Sequence, residues 1–377
     1  IIDINEEWRE HDTSDLSFSK CRQVQDTLIE YKSAFGKLDF VDMIAVYVQT
    51  VEPPHLEVLI VDEAQDLTPL QWTMVQHMAT NAEEVWIAGD DDQAIHRWTG
   101  VDVKQFINMS PNRVVLEQSY RLPKKVHALA QRVVRRIRDR VPKTYYPTDV
   151  EGSVAWHYSI NSLPLNTGSW TIMCRINSYV QAMAKEIEDM GYYYSLKGNA
   201  PITKDQAETI YTWRDLAAGR EVPLYRIRTM YEAVPKQGDK AVVKRGSKKL
   251  LEAADPEACL TMQDLGNEFG LLEQPNLMGE YRDAFDVLGF GKARQTYLRR
   301  IERSGEDLSK PPRIKLSTFH AMKGGEDDNC AVYLGSTRAC DETAYPDDEH
   351  RAFYVGITRA RQNLHIIESQ KRYRYPL

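Results

Sequence analysis

The sequence predicts an α/β protein built on parallel sheets, because short β-branched runs bounded by turn residues or charges alternate with segments of helical period. The runs are Val58 to Val61, Val85 to Ala88, Val114 to Leu116, Thr171 to Cys174, Ile314 to Ser317, Ala331 to Leu334 and Leu364 to Ile367. Each is nearly continuous in apolar residues, the pattern of a strand buried on both faces. Between them, Pro69 to Ala79, Lys124 to Arg138, Ser178 to Met190 and Asp348 to Arg361 repeat their apolar residues at helical spacing. From about Thr203 to Leu308 the strand pattern stops and helix-like stretches take over, so a helical insertion is expected there.

Composition narrows the class. The chain has 377 residues, 42% of them hydrophobic, enough for two or three domains with cores of their own. A net charge of −7 and a pI near 5.8 argue against a protein that coats nucleic acid indiscriminately, although a local basic surface can act within an acidic whole. One candidate for such a surface opens the insertion: Arg220, Arg226, Arg228, Lys236, Lys240, Lys244, Arg245, Lys248 and Lys249 stand against Glu221, Glu232 and Asp239. Such a run suits a solvated face and a nucleic-acid-facing one equally well. The five cysteines are scattered, with no Cys-x-x-Cys pair, which fits a reducing, cytoplasmic setting. No apolar run approaches the ~18 residues of a membrane span, and the first residues are too acidic for a signal peptide. No membrane partner is expected, and the absence of an initiator Met suggests a piece of something longer.

Chemistry concentrates where strands end. Leu59-Ile-Val-Asp62-Glu63-Ala-Gln-Asp66 is an apolar strand running into carboxylates. In a nucleoside-triphosphatase such a strand delivers one carboxylate to Mg²⁺ at the sheet's carboxyl edge and a second to the attacking water, here Asp62 and Glu63. An Asp-Glu pair after a strand also suits a plain surface turn. Val85 to Ala88 runs into Gly89-Asp-Asp-Asp-Gln93-Ala-Ile-His-Arg97-Trp98. Gly89 would permit a tight exit from the sheet, and the Gln93 amide can donate to a phosphate and accept from a water. Trp98 either caps the core or offers a base a stacking platform.

These segments resemble motifs II and III of the UvrD, Rep and PcrA helicases of superfamily 1, and the later motifs follow in order. Leu116-Glu-Gln-Ser-Tyr120-Arg121 resembles motif IV, Leu316-Ser-Thr318-Phe-His320-Ala-Met-Lys323-Gly-Gly-Glu326 motif V, and Tyr354-Val-Gly-Ile-Thr358-Arg359-Ala360 motif VI. Leu38-Asp39-Phe40-Val41-Asp42-Met43 is similar to a short signature upstream of motif II. The resemblance implies that Tyr120 stacks on adenine and that Arg121 and Arg359 reach the γ-phosphate, where planar, permanently charged forks suit the transferring group. It further implies that Gln93 senses that phosphate and Glu326 contacts the sugar. Thr318 and His320, with Arg97 and the stacking Trp98, would lie along single-stranded DNA. ATP and Mg²⁺ are the implied cofactors. The partners would be single strands and their junctions with duplex, with room for a protein that loads the motor.

Two departures stand out. His96 replaces a common Tyr and Thr99 a common Arg, the latter removing one phosphate contact. A phosphate loop, Gly-x-x-x-x-Gly-Lys-Ser/Thr, is missing, since Gly36-Lys37 and Gly291-Lys292 lack the upstream Gly and the following hydroxyl. In the family that loop precedes motif II, so a missing segment is expected ahead of Ile1. The organisation implied is the carboxyl-side part of a first RecA-like domain over 1–122, a second over 123–202 and 309–377, and an accessory helical insertion over 203–308. The activity implied is ATP-driven translocation on single-stranded DNA, 3′ to 5′, with unwinding, this chain alone being inactive for want of the loop. A truncated DNA-binding or regulatory module is the alternative.

Overall fold

The computed structural model describes residues 18–109 and 112–377, so the acidic N-terminal stretch weighed above as a signal peptide lies outside the described residues. Two compact units divide the chain. One comprises Ile1–Ala155 and Phe319–Leu377, the other Trp156–Thr318.

Among the described residues the first unit begins with two helices, α1 (Phe18–Phe35) and α2 (Phe40–Thr50). Asp39 starts α2 by accepting from the amides of Val41 and Asp42, while Asp42 returns a bond to the Asp39 amide. Satisfying the orphan donors in this reciprocal way fixes the helix start. Strand β1 (Leu56–Val61), α3 (Pro69–Ala79) and β2 (Ala82–Ile87) form a β-α-β unit, the strands parallel with Leu59 opposite Val85. Thr68 caps α3 and Pro69 fills its first turn, where a missing N–H costs nothing. Trp72 and Val75 of α3 pack on Ala64, Val61, Leu67 and Ile87. A short α4 (Val103–Ile107) and α5 (Lys124–Val134) follow, α5 four residues shorter than its periodicity predicts.

After β3 (Ser153–His157), the second unit sets out a parallel trio: β4 (Trp170–Cys174), α6 (Asn177–Met190) and β5 (Tyr194–Leu196), with β8 (Ile314–Thr318) between the two strands. Every residue of β4 is buried, as its apolar run predicts. Between β5 and β8 lies the helical insertion: α7 (Lys204–Ala217), β6 (Val222–Pro223), α8 (Leu224–Ala233), α9 (Ser247–Glu252), β7 (Cys259–Leu260), α10 (Met262–Asn267), α11 (Ala284–Val287) and α12 (Lys292–Arg303). Its core gathers Trp213, Ile227, Phe285 and Leu298. The basic run divides here. Arg226 pairs with Glu208 and Asp215, Arg220 with Asp215 and Lys248 with Glu232, whereas Lys236, Lys240, Lys244, Arg245 and Lys249 stay at the surface.

The chain then returns to the first unit with β9 (Asp327–Tyr333), α13 (Arg338–Asp341), α14 (Pro346–Ile357) and β10 (Ala360–Ile367). Strands β9 and β10 are parallel, Leu364 facing Cys330, and α14 lies against α5. Ala360 and Arg361, expected at the end of a helix, instead begin β10. The class is α/β with parallel sheets, as predicted.

Three strand expectations need correction. Val58, Ile60, Val85 and Trp86 are exposed, so β1 and β2 are not buried on both faces; among the described residues the two strands pair only with each other, and α3 covers one side. Val114 to Leu116 forms no strand, and both Val114 and Leu116 are exposed. Without a neighbouring ladder, this segment is held by a single bridge from Gln118 to Tyr146.

Candidate nucleotide and nucleic-acid site

Two loops leave the carboxyl ends of β1 and β2 and are knitted together by their backbones. Ala88 donates to the Val61 carbonyl (2.8 Å), and Ala64 to the Ala88 carbonyl (3.0 Å). Gln65, fully buried, completes the join: its oxygen accepts from the Asp90 amide (2.9 Å), and its nitrogen donates to Glu63 (2.5 Å) and Asp66 (3.3 Å). Gly89 sits beside Gln65 and Phe106, and a Cβ there would lie 2.5 Å from the Gln65 oxygen. Its φ is not positive, so close packing requires the glycine rather than a turn.

Asp62 and Glu63 stand exposed at the end of β1, and Glu63 holds a left-handed backbone (φ +52°), an uncommon state for a residue with a Cβ. Lys323 reaches the same place. Its ammonium pairs with Asp66 and lies 3.4 Å from Glu63. Mg²⁺ takes one or two carboxylates and fills its remaining positions with water and phosphate oxygens. An exposed Asp62 at a strand end fits that demand.

The loop after β2 is anchored by charge. Asp92, fully buried, receives both arms of Arg140 (2.8 and 2.7 Å), and Asp91 accepts from the Val141 amide (2.7 Å). Lys143 pairs with Asp90 (2.7 Å), Asp91 and Asp92 (3.1 Å). Burial alone would lower the Lys143 ammonium, but three carboxylates hold it well above its usual 10.5. Burial would likewise raise the Asp90 carboxyl, and Lys143 with the Gln93 amide keeps it below the usual 3.8. At Asp92 burial prevails over Arg140 and the carboxyl is pushed up.

This anchoring presents Gln93. Its nitrogen donates to Asp90 (2.6 Å) and its oxygen accepts from Arg359 (2.9 Å). Arg359 is 1% exposed, and it donates also to the carbonyls of Val355 (2.9 Å) and Gly325 (3.3 Å) and to the Thr358 hydroxyl. Every one of those acceptors is a neutral oxygen. Burial, with repulsion from Arg121, pushes this guanidinium down to about 10, against the pull of Glu63, so it stays charged at neutral pH. Arg121 approaches Glu326 at 3.7 Å, and Arg361 holds the other oxygen of Glu326 at 3.1 Å. Tyr120 is 90% exposed.

Five residues beyond Gln93, Trp98 is 57% exposed, with the His96 ring 6.3 Å away and His320 6.0 Å beyond His96. Arg97 does not point to open solvent: its Nε donates to Asp348 (2.7 Å) and its guanidinium lies 4.2 Å above the Tyr345 ring. Thr318 closes β8 in the other unit and is buried. The structure therefore draws Asp62, Glu63, Gln93, Arg359, Arg121 and Glu326 into one unit with Trp98, Tyr120 and His320. Sequence reasoning missed Gln65, Lys323, Lys143, Arg140 and Arg351. Gln65 and Lys323 lie inside quoted motifs; the signal for Gln65 was an amide flanked by Glu63 and Asp66, whereas Lys323 has no such neighbours in sequence.

Two family models match the chain, the UvrD/REP helicase N-terminal domain over residues 3–113 and the UvrD-like helicase C-terminal domain over 262–371. The chain belongs to the UvrD/Rep-like helicase family. It is 30% identical to the ATP-dependent DNA helicase PcrA of Bacillus subtilis (strain 168) across 93% of this chain and 61% of that protein. The PcrA of Staphylococcus aureus (strain Mu50 / ATCC 700699) is 30% identical across 32% of this chain and 18% of its own length. The PcrA of Leuconostoc citreum is 32% identical across 31% and 16%. The UvrD-like chain thus spans less than two thirds of the curated relatives it matches. Its alignment with the Bacillus protein runs over 457 positions, more than its own 377 residues, so that relative carries segments this chain lacks. Among the described residues no helix is long and apolar enough to cross a membrane, and no cluster of three or more His, Cys, Asp or Glu side chains forms a metal site.

Proposed function

We propose that the protein is an ATP-dependent motor that moves 3′ to 5′ along single-stranded DNA and unwinds duplex at junctions. One observation carries this reading. A single loop bears Gln93, bonded to the buried Arg359 whose hydrogen-bond acceptors are all neutral oxygens, and the exposed Trp98 five residues on. A buried cation surrounded by neutral oxygens favours the entry of an anion, and an exposed indole favours a base.

In this reading Asp62 holds Mg²⁺, which when bound would neutralise phosphate charge, and Glu63 orients and deprotonates the attacking water. Arg359 and Arg121 meet the γ-phosphate, and Gln93 passes its presence to the loop. Tyr120 stacks on adenine, while Glu326, placed between Arg121 and Arg361, takes the sugar. His320 and Trp98 line the strand. DNA-stimulated ATP hydrolysis by the full-length protein, with displacement of a strand from duplexes tailed at the 3′ end and not at the 5′ end, is the expected result. Turnover indifferent to DNA would sink the motor reading, and preference for a 5′ tail would reverse the polarity.

A second reading concerns this polypeptide by itself. No Gly-x-x-x-x-Gly-Lys-Ser/Thr occurs in its 377 residues, so the amide cradle and lysine that position phosphates are not supplied by it. We infer that alone it hydrolyses little ATP while retaining affinity for single strands. Robust DNA-stimulated turnover by this polypeptide would overturn that.

A further inference from the structure

We infer that Arg97 is a positioning residue, a latch that ties the base-stacking loop to the helix leading into Arg359, and not a contact to the DNA backbone. The inference rests on the motor reading above. Its basis is a chain of bonds inside the first unit that joins both ends of α14 to one loop.

At the start of α14, Asp348 accepts from Arg97 Nε (2.7 Å) through one oxygen and from Arg351 Nη1 (3.2 Å) through the other. Arg351 is 1% exposed, and its remaining nitrogens donate to the Asp91 carbonyl (2.9 Å) and the Asp139 carbonyl. Asp347, the preceding residue, accepts from the amides of Arg138 (3.0 Å) and Asp139 (2.8 Å). Just beyond the helix's other end, Arg359 donates to Gln93 (2.9 Å). The loop from Asp91 to Trp98 is therefore gripped at Asp91, at Gln93 and at Arg97 by α14 and the residues that follow it.

Geometry assigns the Arg97 side chain to this grip. Its guanidinium is directed by a carboxylate on one edge and lies over the Tyr345 ring on its face, 4.2 Å from the centroid. A planar fork stacked on an aromatic through its face and bonded to a carboxylate through Nε is held in one orientation by Asp348 and Tyr345. Arg97 adjoins Trp98, so a base arriving on the indole moves the residue that holds Asp348. That displacement reaches Arg359 through a rigid helix of twelve residues. Removing the latch should leave the strand bound and the phosphate site built, but separate the two.

The test uses the full-length protein with Arg97→Ala and Arg97→Lys. The latch predicts that the ratio of turnover at saturating single-stranded DNA to turnover without it falls at least about five-fold in both variants. The DNA affinity and the slope of log affinity against log salt should stay near wild type. Lys keeps a cation able to meet a phosphate but loses the planar face and the edge-on bond to Asp348, so it should fail as Ala does. If Arg97 touches the backbone instead, Arg97→Ala weakens binding about ten-fold and lowers the salt slope by about one, and Arg97→Lys restores both, which overturns the proposal. An unchanged stimulation ratio in both variants also overturns it. Should the wild type itself show no DNA-stimulated hydrolysis, the motor reading fails first and the latch with it. Melting temperatures within a few degrees of wild type identify folded variants, and Tyr345→Leu, which removes the aromatic face under Arg97 and leaves Arg97 and Asp348 in place, gives the same reading should Arg97→Ala not fold.

Discussion

Glu63 occupies a left-handed backbone state that a non-glycine residue adopts at some cost, and its carboxylate is met by Gln65 and Lys323. Such placement suits a group that must face a water beside a phosphate. Glu63→Gln in the full-length protein should retain Mg·ATP binding and lose hydrolysis by roughly 10²- to 10⁴-fold, because the amide keeps the shape and cannot accept the proton. Arg359→Ala should slow turnover strongly with DNA affinity nearly intact. If either variant keeps half of the normal kcat, its role is misassigned. For Trp98 the two sequence-level possibilities, core cap or stacking platform, predict different losses. An indole 57% exposed has little fold stability to contribute, so Trp98→Ala should move the melting temperature by little and weaken single-strand binding about ten- to a hundred-fold. Early unfolding with normal binding by the folded fraction would make Trp98 a core residue. Asp62, Glu63 and Gln93 were legible as candidates because carboxylates and an amide follow apolar strands, whereas Arg121 and Arg359 stood out only through the motifs they resemble. Lys323 was not, because the carboxylates it meets are brought beside it only by the fold, and the bond from the Asp90 amide to Gln65 is likewise made only by the fold.

At the scale of the element, the helices were read most accurately. The apolar period and the Thr68-Pro69 start gave α3 its observed bounds, since a cap and an N1 proline are local signals. Burial of β1 and β2 was misjudged, because an apolar strand says nothing about whether neighbours cover it. The loop after β2 illustrates the same limit for charge: three consecutive aspartates look like a solvated turn, yet Asp91 and Asp92 are buried against Lys143 and Arg140. Lys143→Met should therefore destabilise the protein by about 3–5 kcal/mol at neutral pH, since it leaves buried carboxylates without their cation. The sign of the pH dependence follows from the raised lysine. Its folded value exceeds the free value of 10.5, so its contribution is whole below 10.5 and declines as pH climbs past that point. The gap between wild type and Lys143→Met in denaturant midpoints should be constant from about pH 7 to 10 and narrow above. A gap that widens with alkali would show that the lysine is not held charged by the fold.

Across the whole molecule, the second unit resembles an ordinary α/β domain, with β4 wholly buried and an insertion that closes its own core around Trp213 and Phe285. The first unit does not balance its surface in the same way. Ile60 is 70% and Trp86 62% exposed on paired strands, and Phe40, Leu28, Ile29 and Phe35 are exposed on the two helices that open the unit. Contiguous apolar surface on paired strands invites association, because unpaired strand edges and uncovered side chains are satisfied by another polypeptide. This polypeptide alone should therefore bind an apolar dye and self-associate as its concentration rises. Ile60→Lys and Trp86→Lys should each reduce both effects. Since neither side chain is packed, the melting temperature should change by only a degree or two, the usual outcome for an exposed position. The two quantities separate the possibilities cleanly. A large fall in melting temperature would mean that Ile60 and Trp86 are covered in solution by this chain itself, whereas unchanged association would place the adhesive surface on α1 and α2.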